Sequence, residues 1–254
     1  VPSLNDIGVV FTCCMYPAMT AQAVVSVYAH YPELAPPVIA VDGCRKAVFK
    51  QHRDAWSQEL IELLQFSHPD PIILQSDERV GAGRMIDSAI RLLDQRYVLT
   101  VEHGIRLTRR TLIERFLSHM PGPVAVGRKR ANNRACAIYG DFVDPLFALF
   151  DRSFIVDNGL SFELCHLNVP KIKKQIIGVT TSQLLQYEAA VLGRNCRFVN
   201  ARWGEHFEHV HTPHARGKNA SPHYIVNRLP SQLPRPGSRP NATLAYRWLT
   251  KKGG

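Results

Sequence analysis

The chain has 254 residues, is 45% hydrophobic and 20% charged, and carries a formal net charge of +10. That is the make-up of a globular protein with room for one large domain or two small ones. It excludes a membrane-spanning helix, because no apolar run approaches the roughly 20 residues one needs, and the opening VPSLND shows no signal-peptide pattern.

The elements read in chain order as follows. IGVVFT, Ile7 to Thr12, is a β-branched run that predicts a buried strand. TAQAVVSVYAHY follows with apolar residues at helical spacing, and PPVIAVDG brings a second strand, Val38 to Val41, ending at Asp42 and Gly43. A long amphipathic helix is expected over about Ala47 to Phe66, then a third strand, Ile72 to Gln75. GAGRMIDSAIRLLDQ predicts a helix and YVLTV a fourth strand. TRRTLIERFLSHM predicts a fourth helix with Thr108 as its N-cap. Val124 to Val126 reads as a fifth strand.

The alternation then loosens. ACAIYGDFVDPLFALF and SFIVDNGLSFELCHL predict a mixture of short strands and loops. A last helix is expected over about Thr181 to Leu192, stopped by Gly193, with CRFVNARW as a strand after it. Five prolines from Pro222 to Pro240 break long elements, so the segment from Pro213 predicts an extended wrap or a mobile tail. LAYRWLT near its end is apolar enough to dock on the body of the protein.

Strand and helix in alternation imply an α/β fold, a mostly parallel sheet with right-handed crossovers flanked by helices. The cysteines at 13, 14, 44, 136, 165 and 196 form no CxxC pair and lie mostly in apolar stretches. They read as reduced thiols, which points to a cytoplasmic location. The sequons at Asn219 and Asn241 are then without consequence, the first weakened further by Pro222. Basic residues concentrate at the C-terminus: His214 to Gly254 holds eight Lys or Arg and no acid. That is a solvated tail or an attraction to an anion such as nucleic acid, a membrane surface or a phosphorylated substrate.

Chemistry concentrates at the strand ends. The first strand ends at Thr12, the second at Asp42, the third near Asp77 and Glu78, the fourth at Glu102. In parallel sheets these ends share one edge, where ligands bind. An acid after the second strand can accept from a ribose or base, and one after the fourth can hold a divalent metal against a diphosphate. Taken singly, each acid is equally a cap or a turn residue. ERVGAGRMID, Glu78 to Asp87, is glycine-rich between strand and helix, with Arg79 and Arg84 beside the glycines. It is no Walker motif, but it suits close approach to phosphate.

The series VDG, ERVGAGRMIDSAI, RYVLTVEHG resembles the nucleotide-binding half of family 2 glycosyltransferases with the GT-A fold, over about Ile7 to Arg128. In that resemblance Asp42 falls on the base-binding Asp, Gly81 on the glycine of a GxxxARN-like helix start, Asp87 on its Asn, and Glu102-His103-Gly104 on the Asp-x-Asp. It implies a GT-A-type domain over 1–212, with a donor half 1–128 and an acceptor half 129–212, followed by the basic extension 213–254. It also implies a nucleotide-diphosphate sugar donor, contacted by Thr12, Asp42, Arg79, Arg84, Asp87 and Glu102, and Mn²⁺ or Mg²⁺ as cofactor. The acceptor is left open among glycan, lipid, protein and modified nucleic acid.

Two departures stand out. Gly104 replaces the acid that touches the metal in the family, leaving Glu102; His103 beside it reads as a strand-end residue. WGEHFEHVHTPH, Trp203 to His214, resembles the His-bearing segment that closes over metal and diphosphate, with His209 the nearest match and His211 the alternative. Its spacing fits no freestanding zinc site. Second, Thr181-Ser182 stands where inverting members carry their acidic pair. Asp157, then Glu188, is the candidate base, with Glu163 a further acid in that half. The leading expectation is a metal-assisted, inverting glycosyltransferase. The alternative is a non-catalytic nucleic-acid-binding protein using the basic C-terminal segment; a nucleotidyltransferase is disfavoured by TCCMYPAMT after the first strand.

Overall fold

The computed structural model describes residues 2–13, 17–42, 53–64, 71–76, 80–130, 140–163, 171–172, 175–176, 182–201, 205–209 and 245–249. For 53–57, 171–172, 175–176, 209 and 245–249 it describes the backbone alone. The first strand, β1 (Ile7–Cys13), is central and fully buried over Ile7 to Phe11. It is flanked by β2 (Val38–Val41) on one side and β4 (Tyr97–Glu102) on the other, both parallel to it. β3 (Ile72–Ser76) lies beyond β2. A buried parallel strand has both faces covered, so it reads as continuous apolar residues, as β1, β2 and β4 do.

On the other flank the sheet changes direction. β7 (Phe142–Asp151) runs antiparallel between β4 and β6 (Ala125–Arg130), and β10 (Cys196–Phe198) closes that edge parallel to β6. The sequence predicts short strands and loops where β7 forms a single ten-residue strand. Pro145 is the reason, since a proline demotes a strand signal. β12 (Ala245–Leu249), in LAYRWLT, pairs parallel with β3, giving eight strands in the order β10-β6-β7-β4-β1-β2-β3-β12. Two small ribbons stand apart: β5 (Ile105–Leu107) with β11 (Phe207–His209), and β8 (Lys171–Ile172) with β9 (Gln175–Ile176).

Side chains alternate across a strand, and each face of the sheet has its own core. On one face Val9, Phe11, Ile39, Leu99 and Val101 pack with α1 (Pro17–His30), α2 (Arg53–Leu64) and α4 (Leu112–Leu117). On the other, Val10, Val38, Ala40 and Val98 pack with α3 (Ala82–Ile90), α5 (Arg152–Asp157) and α6 (Gln183–Val191). Each fully covered Val, Leu, Ile or Phe contributes about 1.5–3 kcal/mol. Among the described residues no helix is long and apolar enough to cross a membrane.

Two local details differ from the sequence reading. The N-cap of α4 is Thr111, not Thr108. The buried Tyr31 hydroxyl, at the end of α1, accepts from the Thr111 and Ile113 amides at 2.7 and 3.3 Å and donates to Glu114, fixing where the helix starts. Thr108 instead donates its amide to His206, joining β5 to β11. The second detail is GAG. Gly81 has φ +98, which favours glycine, whereas Gly83 sits under a crossing chain: a Cβ there would lie 2.2 Å from the Phe162 carbonyl oxygen.

Gly83→Ala is expected to lower stability by about 1–3 kcal/mol, the usual range for overpacking, although alanine is the better helix former. Thermal unfolding followed by circular dichroism checks this. A higher Tm would show that the crossing at Phe162 is not tight.

Candidate functional site

The ladder brings three of the sequence-predicted residues together. Thr12 pairs with Glu102 on one side and with Ala40 on the other, and Asp42 follows Val41 with its amide bonded to the Cys13 carbonyl at 2.9 Å. By alternation Thr12, Asp42 and Glu102 end the face that carries Val10, Ala40 and Val98. They sit at the carboxyl ends of β1, β2 and β4. β2 and β4 lie on opposite sides of β1, so this is the point where strand order reverses and open α/β sheets bind ligands.

Asp42 is only 7% exposed. Its Oδ1 accepts from the amides of Val80 at 2.9 Å and Gly81 at 3.4 Å. The carboxylate therefore ties the end of β2 to the turn that opens α3. The glycine motif suits close backbone approach to phosphate, but its Val80 and Gly81 amides face Asp42. Arg84, exposed on the first turn of α3, lies 3.7 Å from Glu163. Asp87 is turned toward the crossing segment: it accepts from Ser161 Oγ at 2.5 Å and from the Phe162 and Glu163 amides at 2.8 and 3.1 Å. Burial, the largest influence, raises its pKa, and the three hydrogen bonds oppose that rise. Arg79 lies outside the described residues.

Glu102 is half-buried at the rim, and its carboxyl is pushed up to about 7, first by burial, then by the negative charge of Asp144, with Arg130 pulling the other way. Asp144 is the residue the sequence reading missed. Gly127 of β6 pairs with Ala148 and Lys129 with Val143, so two steps along β6 span five along β7. The excess is a bulge around Asp144, Pro145 and Leu146. Pro145 has no amide to lose, and its carbonyl accepts from Thr100 Oγ1 at 2.7 Å. On the other flank, Val143 donates its amide to Gln186 Oε1 at 2.8 Å and accepts from Gln186 Nε2 at 2.9 Å. Asp144 Oδ1 takes Arg130 Nη1 at 3.3 Å and the Leu146 amide at 3.4 Å. A DP dipeptide inside an apolar run is the one sequence signal that marks this bulge.

His209 lies on β11 opposite Ile105, three residues beyond Glu102, so the His-rich segment does return to the EHG tripeptide. His211 is outside the described residues. Among the described residues no group of three or more His, Cys, Asp or Glu side chains is gathered to hold a metal. Asp157 is exposed at the end of α5, a helix that starts from the end of β7 beside Tyr97, opposite to the rim. Glu188 is exposed on α6. Ser182, at the head of α6, is buried and accepts from Gln186 Nε2 at 3.1 Å. Cys196 donates its thiol to Gln186 Oε1 at 2.8 Å, and burial pushes that thiol up to about 12.

No protein-family model matches the chain, and no curated protein does. Solved structures do. The mannosyltransferase PcManGT from Pyrobaculum calidifontis, in complex with GDP-Man and Mn²⁺, superposes with a TM-score of 0.55 at 12% identity, over 78% of this chain and 56% of that one. S. aureus TarS 1–349 in complex with UDP-GlcNAc gives 0.51 at 14% identity, over 79% and 60%. The chain thus spans somewhat more than half the length of these structures. With the reversed β7 beside β4, the match establishes a GT-A-type fold.

Glu102 yields a pH prediction. Its pKa is raised from 4.5 to about 7, so the folded chain holds this proton more tightly than the unfolded one. The resulting stability is present below about pH 4.5 and is lost as pH rises through about 7. Glu102→Gln cannot ionise. It is expected to gain stability over the wild type as pH is raised across that window, by up to about 3 kcal/mol, read as a widening Tm difference. Parallel Tm curves for the two proteins would show that the carboxyl is not perturbed.

Proposed function

We propose that the chain is a glycosyltransferase that uses a nucleotide-diphosphate sugar. The observation that supports this best is the levelling of Thr12, Asp42 and Glu102 at the strand-order reversal of a GT-A-type fold. Asp42, already oriented by Val80 and Gly81, is the group to meet base or ribose. Thr12 stands beside Glu102 to contact the donor between them. Arg84 is exposed and charged at the start of α3, where it meets phosphate; Arg79 is assigned the same work. Asp87 serves the donor by fixing the 161–163 segment against α3. The matched structures hold GDP-Man with Mn²⁺ and UDP-GlcNAc, and this chain is assigned a donor of that class.

A divalent cation of the Mn²⁺ or Mg²⁺ kind is assigned to this rim because Glu102 offers the hard oxygen that such ions take, although no group of three or more ligating side chains is gathered among the described residues. Glu102 and His209, with His211 as the alternative, are the groups that would hold it, with diphosphate oxygens and water completing a site of that kind. When bound, the cation neutralises charge on the departing diphosphate.

The chain's own residues do the rest. They hold the donor so that its anomeric carbon faces an acceptor hydroxyl. The bond from that carbon to the diphosphate oxygen breaks, and the bond to the acceptor oxygen forms. The hydroxyl proton passes to a carboxylate, with inversion at the carbon. Asp157 follows the end of β7 at the edge opposite the rim, which leaves Glu188 as the candidate base; it is exposed, so an acceptor must cover it, since a base must come within about 3 Å of its proton. The acceptor is a glycan, a lipid, a protein or a modified nucleic acid.

Thermal-shift measurements with GDP- and UDP-sugars, each with and without Mn²⁺, test this. One donor at about 100 times its Kd should stabilise the protein by about 2.7 kcal/mol, and Asp42→Ala and Glu102→Ala should lose most of that gain. No response to any nucleotide sugar, together with steeply salt-dependent binding of DNA or RNA by the full chain, would instead favour the nucleic-acid-binding alternative.

A further inference from the structure

On the flank of the sheet away from β2, α6 turns one stripe of residues toward a hollow. Gln183, Gln186, Tyr187 and Ala190 stand at positions i, i+3, i+4 and i+7, so they share one face of the helix. Opposite them lie Asp141 and Phe142, where β7 begins, and Asn195, Cys196 and Phe198, at and before β10. The cavity between has a volume of about 180 Å³. β10 is parallel to β6, and β7 is antiparallel to both β6 and β4, so Phe142 and Phe198 stand at the edge of the sheet where β4 ends in Glu102. Val143, Leu185 and Cys196 pack in the core of the face that carries Val10, Ala40 and Val98. The hollow therefore shares both edge and face with the donor rim.

Its floor is committed to the fold. Phe142 is buried, and Gln186 bonds both backbone groups of Val143 and accepts from the Cys196 thiol. Its mouth is different. Tyr187 is 42% and Phe198 39% exposed, and Asp141 and Asn195 are exposed beside them. Exposed aromatics around a hollow, with a few convergent polar groups, mark a ligand site. The Phe198 ring is steadied from one side: Lys129 pairs with Asp141 and lies 5.7 Å from the ring centroid.

Size and wall chemistry select the ligand. Drug-sized ligands occupy roughly 300–1,000 Å³, so this cavity suits a single ring and not a whole nucleotide sugar. Among the residues that line it Asp141 alone is charged, and Lys129 pairs with it. That leaves no excess cation to attract a phosphate or a nucleic acid. A lipid chain would leave the polar side chains of Asp141, Gln183 and Asn195 facing hydrocarbon. A pyranose ring has an apolar C–H face and an edge of hydroxyls. Aromatic rings suit the face, and carboxamides, which both donate and accept, suit the edge together with a carboxylate.

We propose that this cavity binds one pyranose ring of an oligosaccharide acceptor. Its role as an acceptor subsite rests on the donor reading above; its affinity for a sugar does not. β7 and β10 are one and three strands from β4, about 5 and 14 Å. The ring held here is thus a neighbour of the unit that receives the new bond, and its binding positions that unit's hydroxyl.

The test is saturation-transfer NMR on the full chain with glucose, galactose, mannose and N-acetylglucosamine, and with cellotriose, maltotriose and chitotriose. At least one is expected to bind saturably. Tyr187→Ala should raise its half-saturation concentration at least about tenfold, beyond the loss of about 1 kcal/mol that marks a contact carrying binding energy. Ala190→Phe, at an exposed helix position, fills the hollow and should abolish binding. Circular dichroism melts confirm that both variants fold. Unchanged affinity in either variant, or no saccharide bound by the wild type, overturns the proposal; stabilisation by a GDP- or UDP-sugar in that case leaves the donor reading standing. Conversely, saccharide binding that both variants lose, with no response to any nucleotide sugar, upholds the sugar site and overturns the donor reading and the acceptor role with it.

Discussion

The hydrogen-bonded register of three parallel strands is the constraint on which the site depends. β1 pairs with β4 from Ile7↔Tyr97 to Thr12↔Glu102, and with β2 from Val10↔Val38 to Cys13↔Val41. Because side chains alternate with a period of two, a slip of one residue in either pairing would send Asp42 or Glu102 to the opposite face. The apolar residues that precede them forbid the slip. Val38 and Ala40 belong to one core, Ile39 and Val41 to the other, and β4 alternates in the same way. Packing of the cores thus sets the level and the face of the polar residues at the rim.

A second constraint acts from the antiparallel side. β7 pairs regularly with β4 over its C-terminal half and then leaves the ladder with β6 at Asp144 to Leu146. The departure strands backbone groups, and buried backbone groups need partners. Side chains from a neighbouring strand and a covering helix supply them: Thr100 from β4 and Gln186 from α6. The bulge is therefore a built feature whose flanks are held by groups from elements far apart in the chain. Its effect is to turn Asp144 toward Arg130 and the Leu146 amide.

The glycine-rich segment shows how one motif can join a strand end, a helix and a crossing chain. Gly81 turns the chain, Gly83 admits the Phe162 backbone, Asp87 bonds that backbone, and Asp42 caps the turn from below. These contacts fix α3 and the segment 160–163 against each other. They leave Arg84 exposed, 3.7 Å from Glu163.

Amino-acid sequence alone determined the order of strands and helices in the first half apart from β5, the apolar alternation of β1, β2 and β4, and the positions at which Thr12, Asp42 and Glu102 end them. These follow from periodicity between near neighbours, which local sequence carries. Only the tertiary structure decided that α4 begins at Thr111, because the capping hydroxyl comes from Tyr31. It alone decided that residues 142–151 form one strand despite Pro145, because Thr100 and Gln186 satisfy the groups the proline displaces. It alone brought Asp144 into the field of Glu102. Such bonds join residues tens of positions apart, and no local pattern records which distant side chain will complete a broken ladder.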